Sequence, residues 1–259
     1  MNPKFKILSL LVVAAIVVIS SVVLANKWRS DTRYEKITIT GNNTIDREDI
    51  LAIARLKDSL GTMDDLNLKI IQDRIAKHPE IKKVFVSKEP PAELKIEIVE
   101  KRPVAILNSG NKIMLIDNEL EIFSYKNSDK LTDLPVISGV RSNPMKLNEE
   151  AFDKSQLRIA VFLLINAEKK SKMLFNNISE INFSQTDCIT LYSNDNSIPF
   201  LFPYYSDTDI ANKEYQKELL NKLNVFNALL KQKGNELDKD KIRFIDLRFS
   251  NQAVVNYKQ

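Results

Sequence analysis

The uncharged apolar run near the N-terminus constrains the architecture of this chain more than any other feature. Residues Ile7–Ala25 read ILSLLVVAAIVVISSVVLA, without a charge or a proline. A helix needs about 20 apolar residues to cross the hydrocarbon core of a bilayer, so the run predicts a transmembrane helix over 7–25. A signal peptide cleaved before Asn26 is the alternative, but its apolar region usually holds about 7–15 residues. The longer run and Trp28, placed as an interfacial anchor, favour an uncleaved helix.

The net positive charge of the chain is located in the same N-terminal region. The net charge of the 259 residues is +4. Residues 1–33 account for all of it, because five cations face one anion there: Lys4, Lys6, Lys27, Arg29 and Arg33 against Asp31. The remaining chain is neutral, which argues against a nucleic-acid binder that neutralises phosphates. Basic residues flank the apolar run on both sides, so charge does not set its orientation. A short tail before a long globular portion predicts that residues 27–259 lie outside the cytoplasm.

The inventory of reactive side chains argues against several classes of enzyme. With one cysteine (Cys188) and one histidine (His78), the chain has no intrachain disulfide and no zinc site of the usual nitrogen and sulfur kind. Its 5 glycines form no phosphate-binding loop. His78 at a predicted helix end and Cys188 in an apolar strand pattern are interpreted as structural residues. We therefore expect no catalytic residue, no cofactor site and no metal site.

Residues 34–103 carry a regular succession of strand and helix patterns. Period-two alternation of apolar and polar residues predicts strands, and apolar recurrence at three and four residues predicts helices. Glycine and proline mark where these patterns end. The predicted elements are a strand over Tyr34–Thr40, helices over 46–54 and Leu68–Ile75, and strands over Ile81–Lys88 and Leu94–Glu100. The order is therefore β-α-α-β-β.

The rest of the chain is predicted to be a mixed helix and strand domain. The pattern indicates a helix from Leu157 to about Met173, strands over Ile178–Phe183 and Ile189–Tyr192, and a long helix from Tyr215 to Leu230. The apolar stripe of the long helix is interpreted as core, because a coiled-coil seam needs at least about 3–4 heptads.

Two local clusters allow a functional or a structural interpretation. Phe200–Tyr205 is rich in aromatic side chains, which fits a binding patch, a membrane-touching loop, or a strand followed by a proline-containing turn. We favour the strand. Asp117, Glu119 and Glu121 alternate along the chain and are interpreted as one solvated strand or turn face, not as a pair of catalytic carboxylates.

Several phrases of the sequence resemble a known family. The segments YEKITITGNNTI (34–45) and HPEIKKVFVSKEPPAELKIEIVEKRPVA (78–105) resemble a POTRA domain, the polypeptide-transport-associated module. Further on, ILNSGNKIMLIDNELEIF (106–123), LPVISG (134–139) and IRFIDLRFSNQAVV (242–255) resemble the bacterial cell-division FtsQ (DivIB) family. The resemblance covers essentially the whole chain. It departs at Leu120, where the family's Asp-x-x-Gly turn has glycine.

The resemblance implies a fold class and a set of boundaries. The implied class is α+β, with a single N-terminal transmembrane helix, a POTRA domain, and a mixed α/β domain with an extended C-terminal β-sheet. The implied segments are a cytoplasmic tail (1–6), the transmembrane helix (7–25), a juxtamembrane linker (26–33), the POTRA domain (34–103), an FtsQ-type β domain (104–255) and a tail (256–259).

The resemblance also implies a function. A protein of this kind is a non-enzymatic divisome scaffold in the cell inner membrane, with its C-terminal portion in the periplasm and enriched at the division septum. It links early and late division proteins, binds the FtsB/FtsL pair and influences septal peptidoglycan synthesis. Other divisome proteins are expected at the POTRA domain and the transmembrane helix, and no nucleic acid or small-molecule substrate is expected. The alternative is a POTRA-bearing component of envelope assembly or polypeptide transport.

The last strand pattern is the candidate partner-binding site. Apolar residues flank Asp246 and Arg248 within 242–255, so the final strand falls where a sheet can end. A free strand edge offers backbone donors and acceptors to a strand of another chain, whereas the alternative is a strand paired on both sides. The resemblance implies that FtsB, itself paired with FtsL, binds here by strand addition. The candidate contact residues are Phe244, Asp246, Arg248, Phe249, Asn251, Ala253, Val254 and Val255.

Overall fold

The chain divides into two compact units, residues 1–100 and 101–259, in a computed structural model. The structure describes residues 13–24, 33–34, 36–56, 61–62, 67–90, 92–108, 113–124, 134–142, 152–194, 198–231, 241–250 and 252–258. The predicted tail over 1–6 and all of the predicted linker except Arg33 lie outside these residues.

Residues 13–24 form helix α1 inside the apolar run, and its side chains are exposed. Residues 7–12 and residue 25 of the predicted transmembrane segment lie outside the described part of the chain. Within the described part, no helix combines the length and the apolar character needed to cross a membrane.

The first unit contains a three-stranded sheet and two short helices, in the predicted β-α-α-β-β order. After α1, the described residues of this unit form β1 (Arg33–Tyr34), β2 (Lys36–Thr40), α2 (Arg47–Ala54), β3 (Gly61–Thr62), α3 (Leu68–Ile75), β4 (Ile81–Glu89) and β5 (Glu93–Glu100). Strand β5 lies in the centre, parallel to β2 and antiparallel to β4. Strands β1 and β3 pair separately. This order confirms the POTRA architecture.

Alternation along the strands directs one face of the sheet onto the helices. Leu94 and Ile96 on β5 are fully buried and pack in one cluster with Ile50 of α2 and Ile75 of α3. After β2 the chain turns at Gly41, whose φ is +83°. A Cβ there would lie 1.9 Å from the carbonyl oxygen of Ile98, so both the backbone conformation and the space require glycine.

The second unit is built on one nine-stranded mixed sheet. Its strands are β6 (Pro103–Asn108), β7 (Ile113–Asp117), β8 (Ile122–Ser124), β9 (Val136–Ser138), β10 (Ile178–Asn182), β11 (Cys188–Ser193), β12 (Pro199–Pro203), β13 (Ile242–Asp246) and β14 (Val254–Tyr257). The order across the sheet is β14-β13-β12-β11-β10-β9-β6-β7-β8. The pairs β6–β9, β9–β10 and β12–β13 are parallel. A mixed domain with a large C-terminal sheet is therefore confirmed.

The described residues of this unit form three helices: α4 (Lys154–Lys170), α5 (Lys172–Asn176) and α6 (Lys213–Lys231). The apolar stripe of α6, from Tyr215 to Leu230, is buried, and its Phe226 ring meets the Phe200 ring of β12 edge-on with centroids 4.7 Å apart. The stripe is core, as predicted. Phe200 and Phe202 are also buried in β12, which confirms the strand interpretation of the aromatic cluster.

The hairpin between β7 and β8 keeps its turn although Leu120 replaces the expected glycine. Leu120 has a φ of +66°, a left-handed conformation that costs a non-glycine residue about 1–2 kcal/mol. Asp117 holds the turn, because its Oδ1 accepts hydrogen bonds from the N–H of Glu119 at 2.8 Å and of Glu121 at 2.9 Å. The Leu120 side chain packs against the core and offsets part of the strain. Asp117 is only 1% exposed, so its assignment to a solvated face was wrong.

Candidate partner-binding edge

Strand β14 forms one end of the nine-stranded sheet. It pairs antiparallel with β13, with Val254 opposite Asp246 and Val255 opposite Ile245. Within the described part of the chain, no strand pairs with its other side. We call residues 254–257 the C-terminal edge. The strand continues to Tyr257, beyond the limit at 255 that was predicted for this domain.

The direction of the backbone groups in the C-terminal edge follows from its last hydrogen bond. The N–H of Lys258 donates to the carbonyl oxygen of Lys241 at 2.6 Å, towards β13. Successive residues of a strand point their N–H and C=O groups to alternate sides. The register between the strands shifts between Ile242 and Phe244, but the extra residue, Arg243, is on β13, so the alternation along β14 continues. The N–H groups of Val254 and Asn256 therefore also face β13, and those of Val255 and Tyr257 face away from the sheet. These outward groups are what a further strand would pair with.

The side chains around this edge are apolar and exposed. Val254 is 40% exposed, Tyr257 56% and Phe249 47%, and Ala253 is exposed beside them. Val255 is half-buried and packs against the core. Residues 252–257 carry no charge, whereas a protected edge usually carries lysine or proline. Backbone and side chains together suit the addition of another strand.

Asp246 and Arg248 stabilise the chain just before the edge. Asp246 ends β13 and is only 4% exposed. Nη2 of Arg248 lies 2.8 Å from Oδ2 of Asp246, and Nη1 lies 2.6 Å from Oδ2 of Asp187. Burial acts to raise the pKa of Asp246, but the hydrogen bonds and charge of Arg248 outweigh it and hold that pKa below its usual value. In the opposite direction, the hydrogen bond with Asp246 raises the pKa of Arg248, because it stabilises the charged guanidinium.

The remaining predicted contact residues are placed differently. Phe244 is half-buried in the middle of β13, and Asn251 lies outside the described residues. The structure thus places Val254 and Val255 in the C-terminal edge and the exposed Phe249 and Ala253 in the chain before it, while Asp246 is engaged within the fold.

A groove of about 560 Å³ separates the link between β13 and β14 from helix α6. Lys222 of α6 reaches this link, and its Nζ donates to the carbonyl oxygen of Phe249 at 2.5 Å. Lys222 is not among the contact residues predicted from the sequence. The available signal was its position beside Leu223 within the apolar stripe of α6, where a lysine needs a buried partner.

The two single reactive residues have local structural partners. His78 is 8% exposed, and its Nδ1 accepts a hydrogen bond from the N–H of Glu80 at 3.3 Å. Cys188 is fully buried in β11, and its thiol donates to Oε1 of Gln185 at 2.7 Å. Burial raises the pKa of Cys188, which disfavours the reactive thiolate.

The fold defines a protein with a POTRA-like first unit and a second unit whose nine-stranded sheet has β14 at one end. Two family models match the chain: "POTRA domain, FtsQ-type" over residues 32–101, and "Cell division protein FtsQ/DivIB, C-terminal" over residues 105–248. The chain therefore belongs to the FtsQ/DivIB family of cell-division proteins, and the resemblance in its sequence is confirmed.

The chain is also similar in sequence to individual cell-division proteins over most of its length. It is 23% identical to cell division protein FtsQ of Geotalea daltonii over 223 residues, covering 86% of this chain and 75% of the relative. It is 24% identical to FtsQ of Rhodothermus marinus over 248 residues, with 95% and 85% covered. It is 24% identical to cell division protein DivIB of Clostridium acetobutylicum over 227 residues, with 86% and 82% covered. These relatives support a role in cell division.

Proposed function

We propose that this chain is a non-enzymatic scaffold of the bacterial division complex. Residues 7–25 anchor it in the inner membrane as a single-pass protein, with residues 27–259 in the periplasm at the division septum. Its C-terminal edge receives a strand of FtsB, which is bound to FtsL. Through this contact the chain influences septal peptidoglycan synthesis, and the chemistry belongs to its partners.

The observation that carries this proposal is the position of β14. It is the last strand of the sheet, its side chains Val254 and Tyr257 are exposed, and no charge protects it. Strand addition gains affinity from main-chain hydrogen bonds and specificity from alternate side chains, and this edge supplies both. Family membership supports division as the process. It disfavours the alternative of polypeptide transport, which rested on the POTRA module alone.

Proline at position 255 tests the proposal, because the Val255 N–H faces away from β13. Val255→Pro removes one outward donor and leaves the hydrogen bonds between β13 and β14 in place, since proline is tolerated at an edge whose N–H faces solvent. A lost backbone hydrogen bond and a bulky ring at the contact should weaken binding by about tenfold or more. The measurement is the affinity of the full chain for the FtsB/FtsL pair of the same bacterium.

Val255→Ala is the matched control. It also removes the half-buried side chain but keeps the N–H, so it should bind close to the wild-type level. Equal affinities for the proline and alanine variants, with both shown to be folded, would remove strand addition at β14 from the mechanism.

A further inference from the structure

The described residues 247–250 and 252–253 belong to the link between β13 and β14. Its start is fixed to the sheet, because the N–H of Leu247 donates to the carbonyl oxygen of Leu201 at 2.9 Å and the Leu247 side chain is buried. Arg248 adds the ion pairs with Asp246 and Asp187. Ser250, Gln252 and Ala253 line the groove beside α6.

Lys222 provides a contact between this link and helix α6. The residue is only 9% exposed, which is rare for a lysine because removing an ammonium group from water is costly. Its Nζ donates to the carbonyl oxygen of Phe249, and its charge acts favourably on Asp246. Methionine or leucine could fill the same volume without that cost, so the amine is explained by what it binds rather than by packing.

We propose that Lys222 is a positioning residue for the C-terminal edge. By holding the Phe249 carbonyl, it fixes the path of the link, directs the exposed Phe249 side chain, and keeps β14 in register beside β13. A partner strand then meets an ordered template and need not order it on binding. The consequence for a partner rests on the proposed function, whereas the ordering of β14 does not.

Three variants separate positioning from packing. Lys222→Met keeps the length and apolar stem of the side chain and removes the donor. It leaves no lone buried charge, because Asp246 remains paired with Arg248. Lys222→Arg keeps a donor, and the groove has room for the larger head group. Lys217→Met removes the same charge from an exposed position lining the same groove.

The first readout is amide hydrogen exchange at Val254 and Asn256, whose N–H groups face β13, in the full chain without a partner. A hydrogen bond to a charged donor shifts an equilibrium by about tenfold, so exchange in Lys222→Met should be faster by about that factor. Lys222→Arg and Lys217→Met should resemble the wild type, and the thermal midpoint should change little in all three. Wild-type exchange in Lys222→Met would overturn the inference, as would equal acceleration in Lys217→Met.

The second readout is affinity for the FtsB/FtsL pair. We expect weaker binding by about tenfold for Lys222→Met, with binding restored in Lys222→Arg. If the wild-type chain does not bind the pair, the proposed function fails, and the exchange measurement still decides the role of Lys222. If the wild type binds and Lys222→Met binds equally well, Lys222 has no positioning role.

Discussion

Replacing Ile96 with aspartate is expected to abolish the folded state of the first unit. The Ile96 side chain is fully buried, with an exposed fraction of 0%. It lies on the central strand β5, between Ile39 of β2 and Val86 of β4. Losing its burial costs about 1.5–3 kcal/mol. Burying an unpaired carboxylate lowers the stability of the unit by several kcal/mol more. Small domains have about 5–15 kcal/mol of stability, so the sum is a large fraction of it.

The matched control for this variant is Val99→Asp on the same strand. Val99 faces the opposite side of the sheet, is 46% exposed and lies opposite Lys83, so a carboxylate there stays solvated beside a cation. Amide exchange across β4 and β5 of the full chain should show lost protection for Ile96→Asp and near-normal protection for Val99→Asp. Equal protection in the two variants would mean that the faces of β5 are assigned wrongly.

Glu100→Gln is expected to destabilise the same unit by about 3 kcal/mol, through the loss of charged hydrogen bonds. Glu100 is 9% exposed. Its carboxylate accepts hydrogen bonds from the N–H groups of Asn43, Thr44 and Ile45 and from Oγ1 of Thr44, at 2.8–3.1 Å. Glutamine fits the space but replaces one acceptor oxygen with an NH₂ group that faces these donors. The loop between β2 and α2 then loses its anchor.

Glu97→Gln is the control for that experiment, because it removes the same charge from the same strand. Glu97 is exposed and forms a surface ion pair with Lys95, which contributes about 0–1 kcal/mol. Denaturant unfolding of the full chain should therefore separate the two glutamine variants clearly. Equal losses in the free energy of unfolding would indicate that the Glu100 hydrogen bonds contribute no more to stability than a surface ion pair.

Periodicity allowed most of the elements to be predicted, because the face that a side chain occupies is a local property. Ile96 and Ile98 read as one face of a strand, and Leu219 and Leu223 as one face of a helix, and all four are buried. The neighbours of a strand are not a local property. Nothing in the pattern of Val136–Ser138 indicates that β9 lies between β6 and β10.

The candidate site shows the same division between local and nonlocal information. The final strand and its apolar composition could be predicted from residues 242–255. The pairing of Asp246 with Arg248 could not be predicted, because two charges at alternate positions ordinarily indicate a solvated face. Here Asp246 is buried, and Arg248 also reaches Asp187, which lies just before β11. The contact of Lys222 with Phe249 depends on where α6 lies beside the link, which only the tertiary structure defines.

Residue-resolved amide exchange at the C-terminal edge tests the central claim most directly. It compares the full chain alone with the full chain saturated by the FtsB/FtsL pair. Val254 and Asn256 face β13 and should be protected in both states. Val255 and Tyr257 face away from the sheet, so their amides should exchange rapidly in the free chain and become protected in the complex. If both amides exchange as fast in the saturated complex as in the free chain, no strand is added at β14 and the account is contradicted.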